Sequence, residues 1–334
     1  MKLGIYGAGM IVRDFLSMYR QVEGLQLAYI CATSPEEEVL QELCKEHAIP
    51  KYYTDVPLAL ADDTADTCYI GVPNHLHFEF CKNALLAGKN VICEKPFTTT
   101  YDEAKYLADL AKEKGKIIQE AVSTYYLPNA INIKDSIPAL GDLKLVVLNF
   151  SSYSSRYDRF KSGEILPAFD CKKAGGALMD LNIYNISFVV YLFGEPRDVE
   201  YFANIEKSID TSGVLVLDYE TFKAVLIAAK DCKAPITGSI QGDKKCLLIK
   251  GPVNILEGYK VLNATGRGLL EDDGIYENIQ EKDKHRMYYE FNEFVRIINN
   301  NETEVAQTML DLSLITMKVQ TQARKKADIV FPTD

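Results

Sequence analysis

The feature that most limits what this chain can fold into is its opening. A short apolar run from Lys2 leads into Gly7-Ala8-Gly9-Met10-Ile11-Val12, and helix-like Arg13-Asp14-Phe15-Leu16 follows at once. Runs at 25–32, 67–72, 90–93 and 116–121 repeat the strand character, with amphipathic stretches such as 78–87 and 102–114 between them. Strands separated by helices do not pair as hairpins; they form a parallel sheet with helices over it. Thr100 and Glu103 predict a capping box, and Gly88 and Gly115 predict helix stops. Glycines at 7 and 9 permit a tight turn and close backbone approach. A pyrophosphate can then rest on the backbone of Gly7, Ala8, Gly9, Met10 and Ile11 at the helix start. Val12 stands where the dinucleotide fingerprint carries its third glycine.

At the end of the second strand an acid would hold a ribose 2′-hydroxyl and an arginine a 2′-phosphate. This chain has Thr33-Ser34-Pro35 there, then Glu36, Glu37 and Glu38. The hydroxyls of Thr33 and Ser34 suit either NAD or NADP, and the carboxylates, which repel phosphate, tilt the reading toward NAD. The same acids also suit a solvated first helical turn.

Composition sets the outer limits. At ~150 residues per domain, 334 residues suggest two domains. With 47% hydrophobic and 25% charged residues the chain is of the soluble globular class, not disordered or fibrous. Its net charge of −10 gives no field to gather a nucleic-acid backbone. No apolar run reaches the ~18 residues that span a bilayer, and Met1-Lys2 lead into no signal-peptide core, so a cytoplasmic protein without membrane contact is expected. The eight cysteines form no Cys-x-x-Cys pair, and His75-x-His77 has no evident third ligand. Neither a disulfide framework nor a metal site is expected.

From about residue 123 the periodicity changes, which divides the chain into a domain at 1–122 and another at 123–334. A long strand at 143–153 and strands at 197–204, 213–219, 222–229, 235–241 and 245–250 predict an antiparallel sheet with one face to be covered. Gly175-Gly176 opens an apolar helix that Gly194 stops. Asp180, Tyr184, Ser187 and Tyr191 share one face of it. A carboxylate and a phenol on so apolar a helix should face a cavity or a ligand. The loop from Ser151 to Arg159 is rich in hydroxyls and cations, including Arg156, and suits a polyol pocket or a plain solvated loop. Segments 287–298 and 305–324 read as packing helices.

Several motifs then fall in one order: Gly7-Ala8-Gly9, Val72-Pro73-Asn74-His75-Leu76-His77, Ala87-Gly88-Lys89-Asn90-Val91, Glu94-Lys95-Pro96 after an apolar strand, Glu120-Ala121, and Gly175-Gly176-Ala177-Leu178-Met179-Asp180. In these the chain resembles the glucose–fructose oxidoreductase and inositol dehydrogenase family (Gfo/Idh/MocA). The resemblance implies an α/β Rossmann domain, a doubly wound parallel sheet, followed by an α+β domain with a large, mostly antiparallel open sheet. It implies a bound NAD or NADP, with contacts from Pro73, Asn74, His77, Glu94, Lys95 and Glu120 besides the glycine loop and Thr33 and Ser34. It further implies a homodimer through the open sheet.

The implied reaction is hydride transfer between nicotinamide and a CH–OH or C=O carbon of a sugar, polyol or cyclic diol. Lys95, Tyr184 and Arg156 would meet the substrate, and Lys95, Tyr184 and Asp180 would be the catalytic set. Tyr184 stands where many members carry histidine, as in the branch of glucose–fructose oxidoreductase and dimeric dihydrodiol dehydrogenase. Asn182 and Ser187 depart from the usual Gly and Asp. The residues support these roles directly. Lys95 lies just past the carboxyl end of a strand, where open α/β sheets bind ligands, and an ammonium there can hold an alkoxide. A phenol of pKa near ~10 can donate a proton to a carbonyl, more readily in reverse if a lysine lowers it. Two other readings remain open: a regulator that senses NAD(P) or sugar without turnover, and a sugar–sugar oxidoreductase that keeps its cofactor through the cycle.

Overall fold

A computed structural model of the chain describes residues 1–270 and 272–334. The first strands and helices follow in alternation: β1 (Lys2–Tyr6), α1 (Met10–Met18), β2 (Gln26–Cys31), α2 (Glu37–His47), β3 (Tyr52–Tyr53), α3 (Val56–Leu60), β4 (Thr67–Ile70), α4 (His77–Leu86), β5 (Asn90–Glu94), α5 (Tyr101–Lys114) and β6 (Ile118–Ala121). The six strands form one parallel sheet in the order β3-β2-β1-β4-β5-β6. The chain winds one way from β1 and then the other way from β4, so the switch point lies between these two strands. Gly7 leaves β1 there with φ +110, and a Cβ on it would lie 2.4 Å from the carbonyl oxygen of Gly71. Only glycine fits that approach.

Val12, in place of the third glycine of the fingerprint, is fully buried in α1. The room comes from the neighbouring strand end: a Cβ on Gly71 would fall 2.7 Å from Val12 Cγ2. The glycine that lets helix and sheet approach is therefore at 71. Thr100 is the N-cap of α5 as expected, and only the reciprocal half of the capping box is shifted by one residue. Thr100 Oγ1 accepts from the Glu103 amide, but the Glu103 carboxylate accepts from the amide and hydroxyl of Thr99, at 3.0 and 2.6 Å.

The next elements are α6 (Pro128–Ser136), β7 (Leu143–Ser151), α7 (Tyr157–Lys161), a π-helical turn over Leu178–Asn182 that continues as α8 (Ile183–Phe193), β8 (Asp198–Glu206), β9 (Ile209–Asp218), β10 (Lys223–Ala229), β11 (Thr237–Gly242), β12 (Lys245–Lys250) and β13 (Gly258–Asn263). They make a sheet in the order β13-β12-β11-β7-β10-β9-β8. Pairing is antiparallel except between β7 and β10, which run parallel. Several elements separate those two in sequence, so nothing obliges a hairpin there. Strand β13 has no counterpart in the sequence reading, because Gly258, Lys260 and Asn263 interrupt its alternation.

Val146, Leu148, Leu215, Leu217, Ala224 and Leu226 are buried on the inner face of this sheet. Helix α8 is tied to it where Asn182 and Asn185 donate to the carbonyls of Leu226 and Ile227. Asn182, in the position usual for glycine, thus serves the interior. The stretch Cys171–Phe193 is long and apolar enough to cross a membrane by length and composition, yet 67% of its most apolar window is buried in the fold. On the outer face, Leu145 and Phe202 are exposed at 41% and 66%, alongside half-buried Val147, Val214, Val216, Val225 and Ile227.

Helices α9 (Tyr288–Asn299) and α10 (Thr303–Lys326) close the chain. The described residues divide into two compact units, Met1–Ala121 with Met287–Leu314, and Val122–Arg286 with Ile315–Asp334. The sequence division at 122/123 put all of the final segment in the second domain, whereas residues 287–314 return to the first. Phe291 packs on Phe15 and Tyr69, with ring centroids 4.5 and 5.3 Å apart, and Gln119 donates to the carbonyl of Ala306. An amphipathic pattern shows that a helix has a face to bury, not which sheet receives it. All eight cysteines are free.

Candidate active site

In the first unit Gly9 is the N-cap of α1, with no side-chain cap and no acid in the first turn. Its carbonyl accepts from Arg13, so the amides that follow stand at the positive end of the helix. A Cβ on Gly9 would meet nothing within 4 Å, in contrast to Gly7. The fold itself does not need glycine at position 9, and the open space there leaves room for a ligand close to the backbone. Gly9 and Met10 are exposed and Ile11 half-buried, an arrangement that fits a dinucleotide pyrophosphate.

Thr33 and Ser34 are exposed just past β2. The Thr33 amide and hydroxyl both donate to Glu36 Oε2, at 3.3 and 2.8 Å, in a capping box. That hydroxyl is engaged, and the group fixed beside the strand end is the Glu36 carboxylate.

Lys95 follows the last residue of β5 and is half-buried, and the Lys95–Pro96 peptide is cis. Three hydrogen bonds from neighbouring elements hold this loop. The Glu120 carboxylate accepts from the Phe97 amide at 2.8 Å, His77 Nδ1 lies 2.8 Å from the Pro96 carbonyl, and Glu94 accepts from the Tyr69 hydroxyl at 2.7 Å. The other ring nitrogen of His77 is 2.9 Å from the Val72 carbonyl, so the ring links the loops after β4 and β5. Burial lowers the His77 pKa and keeps the ring neutral, with one N–H for two carbonyls. Of the residues expected to touch the cofactor, His77, Glu94 and Glu120 thus direct their side chains into the protein, where they brace the lysine loop. Pro73 is exposed and Asn74 half-buried.

Burial raises Glu120 to about 7, against the lowering effect of its Ser313 and Phe97 hydrogen bonds. Its Oε2 is buried without a partner, as suits a carboxyl that keeps its proton.

In the second unit, the π turn carries Asp180 and hands on to α8 with Tyr184 in its first turn. Asp180, Tyr184 and Tyr191 are half-buried, whereas Ser187 is buried and its Oγ lacks a partner. Ser187 stays on the face of Tyr184 and Tyr191 by helical spacing but lies deeper than either. The Tyr184 ring lies against Phe150 with centroids 6.0 Å apart. Asp180 pairs with a residue the sequence reading passed over: Lys230 Nζ is 2.8 Å from its Oδ2 and 2.6 Å from the Ala168 carbonyl. Asp210, also passed over, accepts from the Leu178 amide and the Tyr201 hydroxyl at the helix start. Burial raises Asp210 to about 6, while those hydrogen bonds and the charge of Lys230 pull it down. A Cβ on Gly176, at φ +105, would sit 2.1 Å from Asp210 Oδ1, which explains that glycine. The signals were a cation ending the apolar run of β10 and an acid inside β9. Arg156 is half-buried, and its amide donates to Ser154 Oγ. Among the described residues no three His, Cys, Asp or Glu form a metal cluster.

A glycine turn at the switch point of a parallel sheet, a braced lysine beyond a strand end and a separate sheet with an acid and a phenol define a nicotinamide-dependent oxidoreductase in two units. Comparison with known proteins agrees. Residues 1–122 match the oxidoreductase family with an NAD-binding Rossmann fold, and residues 139–247 match the GFO/IDH/MocA C-terminal domain. Over its full length the chain is 33% identical to 99% of the scyllo-inositol 2-dehydrogenase (NADP(+)) IolU of Bacillus subtilis. Over 66% of its length it is 29% identical to 64% of the trans-1,2-dihydrobenzene-1,2-diol dehydrogenase of Bos taurus. Levoglucosan dehydrogenase, solved with NADH and levoglucosan, has the same fold, with a TM-score of 0.80, 17% identity and coverage of 99% and 98% of the two chains. The chain belongs to the Gfo/Idh/MocA family and is an NAD(P)-dependent oxidoreductase.

Two predictions follow from the first unit. Gly7→Ala should cost at least about 2 kcal/mol of stability, from positive φ and a carbonyl clash. Gly9→Ala should stay within about 0.5 kcal/mol yet weaken dinucleotide binding at least about tenfold. Urea unfolding and cofactor titration of both variants check the contrast; equal unfolding midpoints would refute it. The second prediction concerns pH. Between pH 4.5, the ordinary value, and about 7 the folded chain holds the Glu120 proton that the unfolded chain has released. Stability from this group is therefore lost as pH rises through that window. Glu120→Gln removes the slope, and its stability relative to the native chain should rise by about 1–3 kcal/mol between pH 5 and 7.5. A pH-independent difference in urea unfolding would contradict the assignment.

Proposed function

We propose that this oxidoreductase acts on a vicinal hydroxyl group of a cyclic polyol, sugar or diol, with Lys95 holding the reacting oxygen and Tyr184 exchanging its proton. A nicotinamide dinucleotide held at the turn from Gly7 to Ile11 would supply the hydride acceptor for oxidation and the hydride donor for reduction. In oxidation, Tyr184 acts as the phenolate and takes the proton of the alcohol oxygen as the carbinol carbon gives up its hydride; in reduction, the neutral phenol donates its proton to the new alkoxide and is left as the phenolate. Lys95 stabilises the partial negative charge on the oxygen in both directions. Asp180 orients the phenol and the substrate hydroxyls. The observation that carries this reading is the lysine loop beyond β5, held by three buried side chains from three neighbouring elements. That much bracing suits a charged group which must keep its place while charge develops on its partner. The relatives' names, scyllo-inositol and a trans-diol among them, support vicinal hydroxyls as the substrate class.

We further propose NAD as the preferred cofactor, because Thr33 fixes Glu36 beside the ribose end of β2, where a carboxylate accepts from ribose hydroxyls and repels a 2′-phosphate. The outer face of the second sheet, with Leu145, Val147, Val214, Val225 and Phe202, is the surface on which a second copy would pair.

One preparation tests these points. NADH should bind more tightly than NADPH by fluorescence titration, Glu36→Gln should narrow the gap, and sedimentation should give twice 37.5 kDa. Tighter NADPH binding, or a monomer, would remove the corresponding proposal. With an inositol, hexose and trans-diol panel, Lys95→Met and Tyr184→Phe should each lower turnover at least about a hundredfold with cofactor affinity kept. Near-native turnover in either variant refutes the catalytic roles.

A further inference from the structure

We propose that Lys230 is a positioning residue for the reaction, acting through Asp180; this rests on the catalytic reading of Asp180 and Tyr184 above. The Lys230 side chain is only 2% exposed, whereas that of Asp180 keeps 35% of its surface open. The ammonium has one anionic and one neutral oxygen in reach, Asp180 Oδ2 at 2.8 Å and the Ala168 carbonyl at 2.6 Å, and lies 4.5 Å from the centroid of the Phe169 ring. A cation so deeply set is stable only with its partners in place, and its loss leaves Asp180 without its buried counter-charge. The pair is thus asymmetric: one member is anchored in the protein, and the other presents a carboxylate outward from the π turn.

The main chain at the same residue joins the other elements of the second-unit site. The Lys230 amide donates to Thr211 of β9, and its carbonyl accepts from Ser154, both at 2.8 Å. Ser154 belongs to the loop that carries Arg156, whose amide bonds to the Ser154 hydroxyl. One residue at the end of β10 therefore fixes the acid of the π turn through its side chain and the Arg156 loop through its backbone. Asp210 completes the support. Buried beside the start of the same helix and sensing the Lys230 charge, it binds the Leu178 amide two residues before Asp180. A fixed acid at the first turn of an apolar helix sets where Tyr184, four residues on, carries its hydroxyl.

The test is a double-mutant cycle on the full chain with steady-state kinetics on its best substrate. Lys230→Met should lower kcat about tenfold to a hundredfold with the KM for cofactor within about twofold. Lys230→Arg, which keeps the charge, should recover at least a third of native kcat. Lys230→Met with Asp180→Asn should be no slower than Asp180→Asn alone within about threefold, because the lysine acts through the acid. If Lys230→Met does not fold, this double variant, which leaves no uncompensated buried charge, and Lys230→Arg carry the comparison. Native kcat in Lys230→Met, no recovery in the arginine variant, or a double variant tenfold slower than Asp180→Asn would each overturn the proposal. Loss of activity in Lys95→Met and Tyr184→Phe alongside a fully active Lys230→Met would refute the role of Lys230 alone. Full activity in those two variants would instead refute the catalytic reading, and this inference with it.

Discussion

The first unit depends on the approach of two strand ends, β1 and β4, at the point where the sheet reverses its winding. Gly7 lies so near the Gly71 carbonyl that neither turn could carry a side chain toward the other. Because Gly71 has none, Val12 can sink into the sheet and hold α1 against it. The first amides of α1 then face outward past a glycine that the protein itself does not crowd. Steric exclusion at residue 7 and open space at residue 9 are two sides of one design. The first sets the turn, and the second leaves room for a pyrophosphate.

The same economy governs the lysine loop. A lysine beyond a strand end is ordinarily mobile, and holding it in one place costs side-chain entropy. Here Tyr69, His77 and Glu120 reach from β4, α4 and β6 to fix the residues on either side of it. The arrangement brings a carboxyl into a dry interior, and the raised pKa of Glu120 records that cost. In the second unit, Lys230 and Asp210 do comparable work at the start of the π turn. In both, hydrogen bonds between buried polar groups define one geometry where an apolar core would allow several.

Much of the candidate site was legible because its residue types stand at fixed offsets from strand and helix ends. The glycine turn, Glu94-Lys95-Pro96, and Asp180 with Tyr184 are local, and a reader of the chain meets each as one motif. The braces were less legible. His77, Glu94 and Glu120 lie in motifs that suggest cofactor contacts, but a motif does not show which way a side chain turns, and theirs turn inward. Lys230 and Asp210 escaped because each is one charged residue at the end of or inside an apolar strand, and its partner lies 50 or 32 positions away. Ser187 shows the same limit, since helical spacing gives its face and only packing gives its depth.

The alternation that makes a parallel sheet, a glycine turn of the dinucleotide type, and a lysine, an acid and a phenol suited to proton and hydride chemistry can all be read along the chain. These follow from backbone sterics and periodicity, which act over a few residues. The assembled fold alone shows that Gly71 replaces the missing third glycine, that β7 and β10 run parallel, that residues 287–314 return to the first unit, and that Asp180 has a buried cation for a partner. Each of these depends on which surfaces meet across long stretches of chain. That is settled by the burial of whole faces and the pairing of buried charges, quantities no local pattern carries.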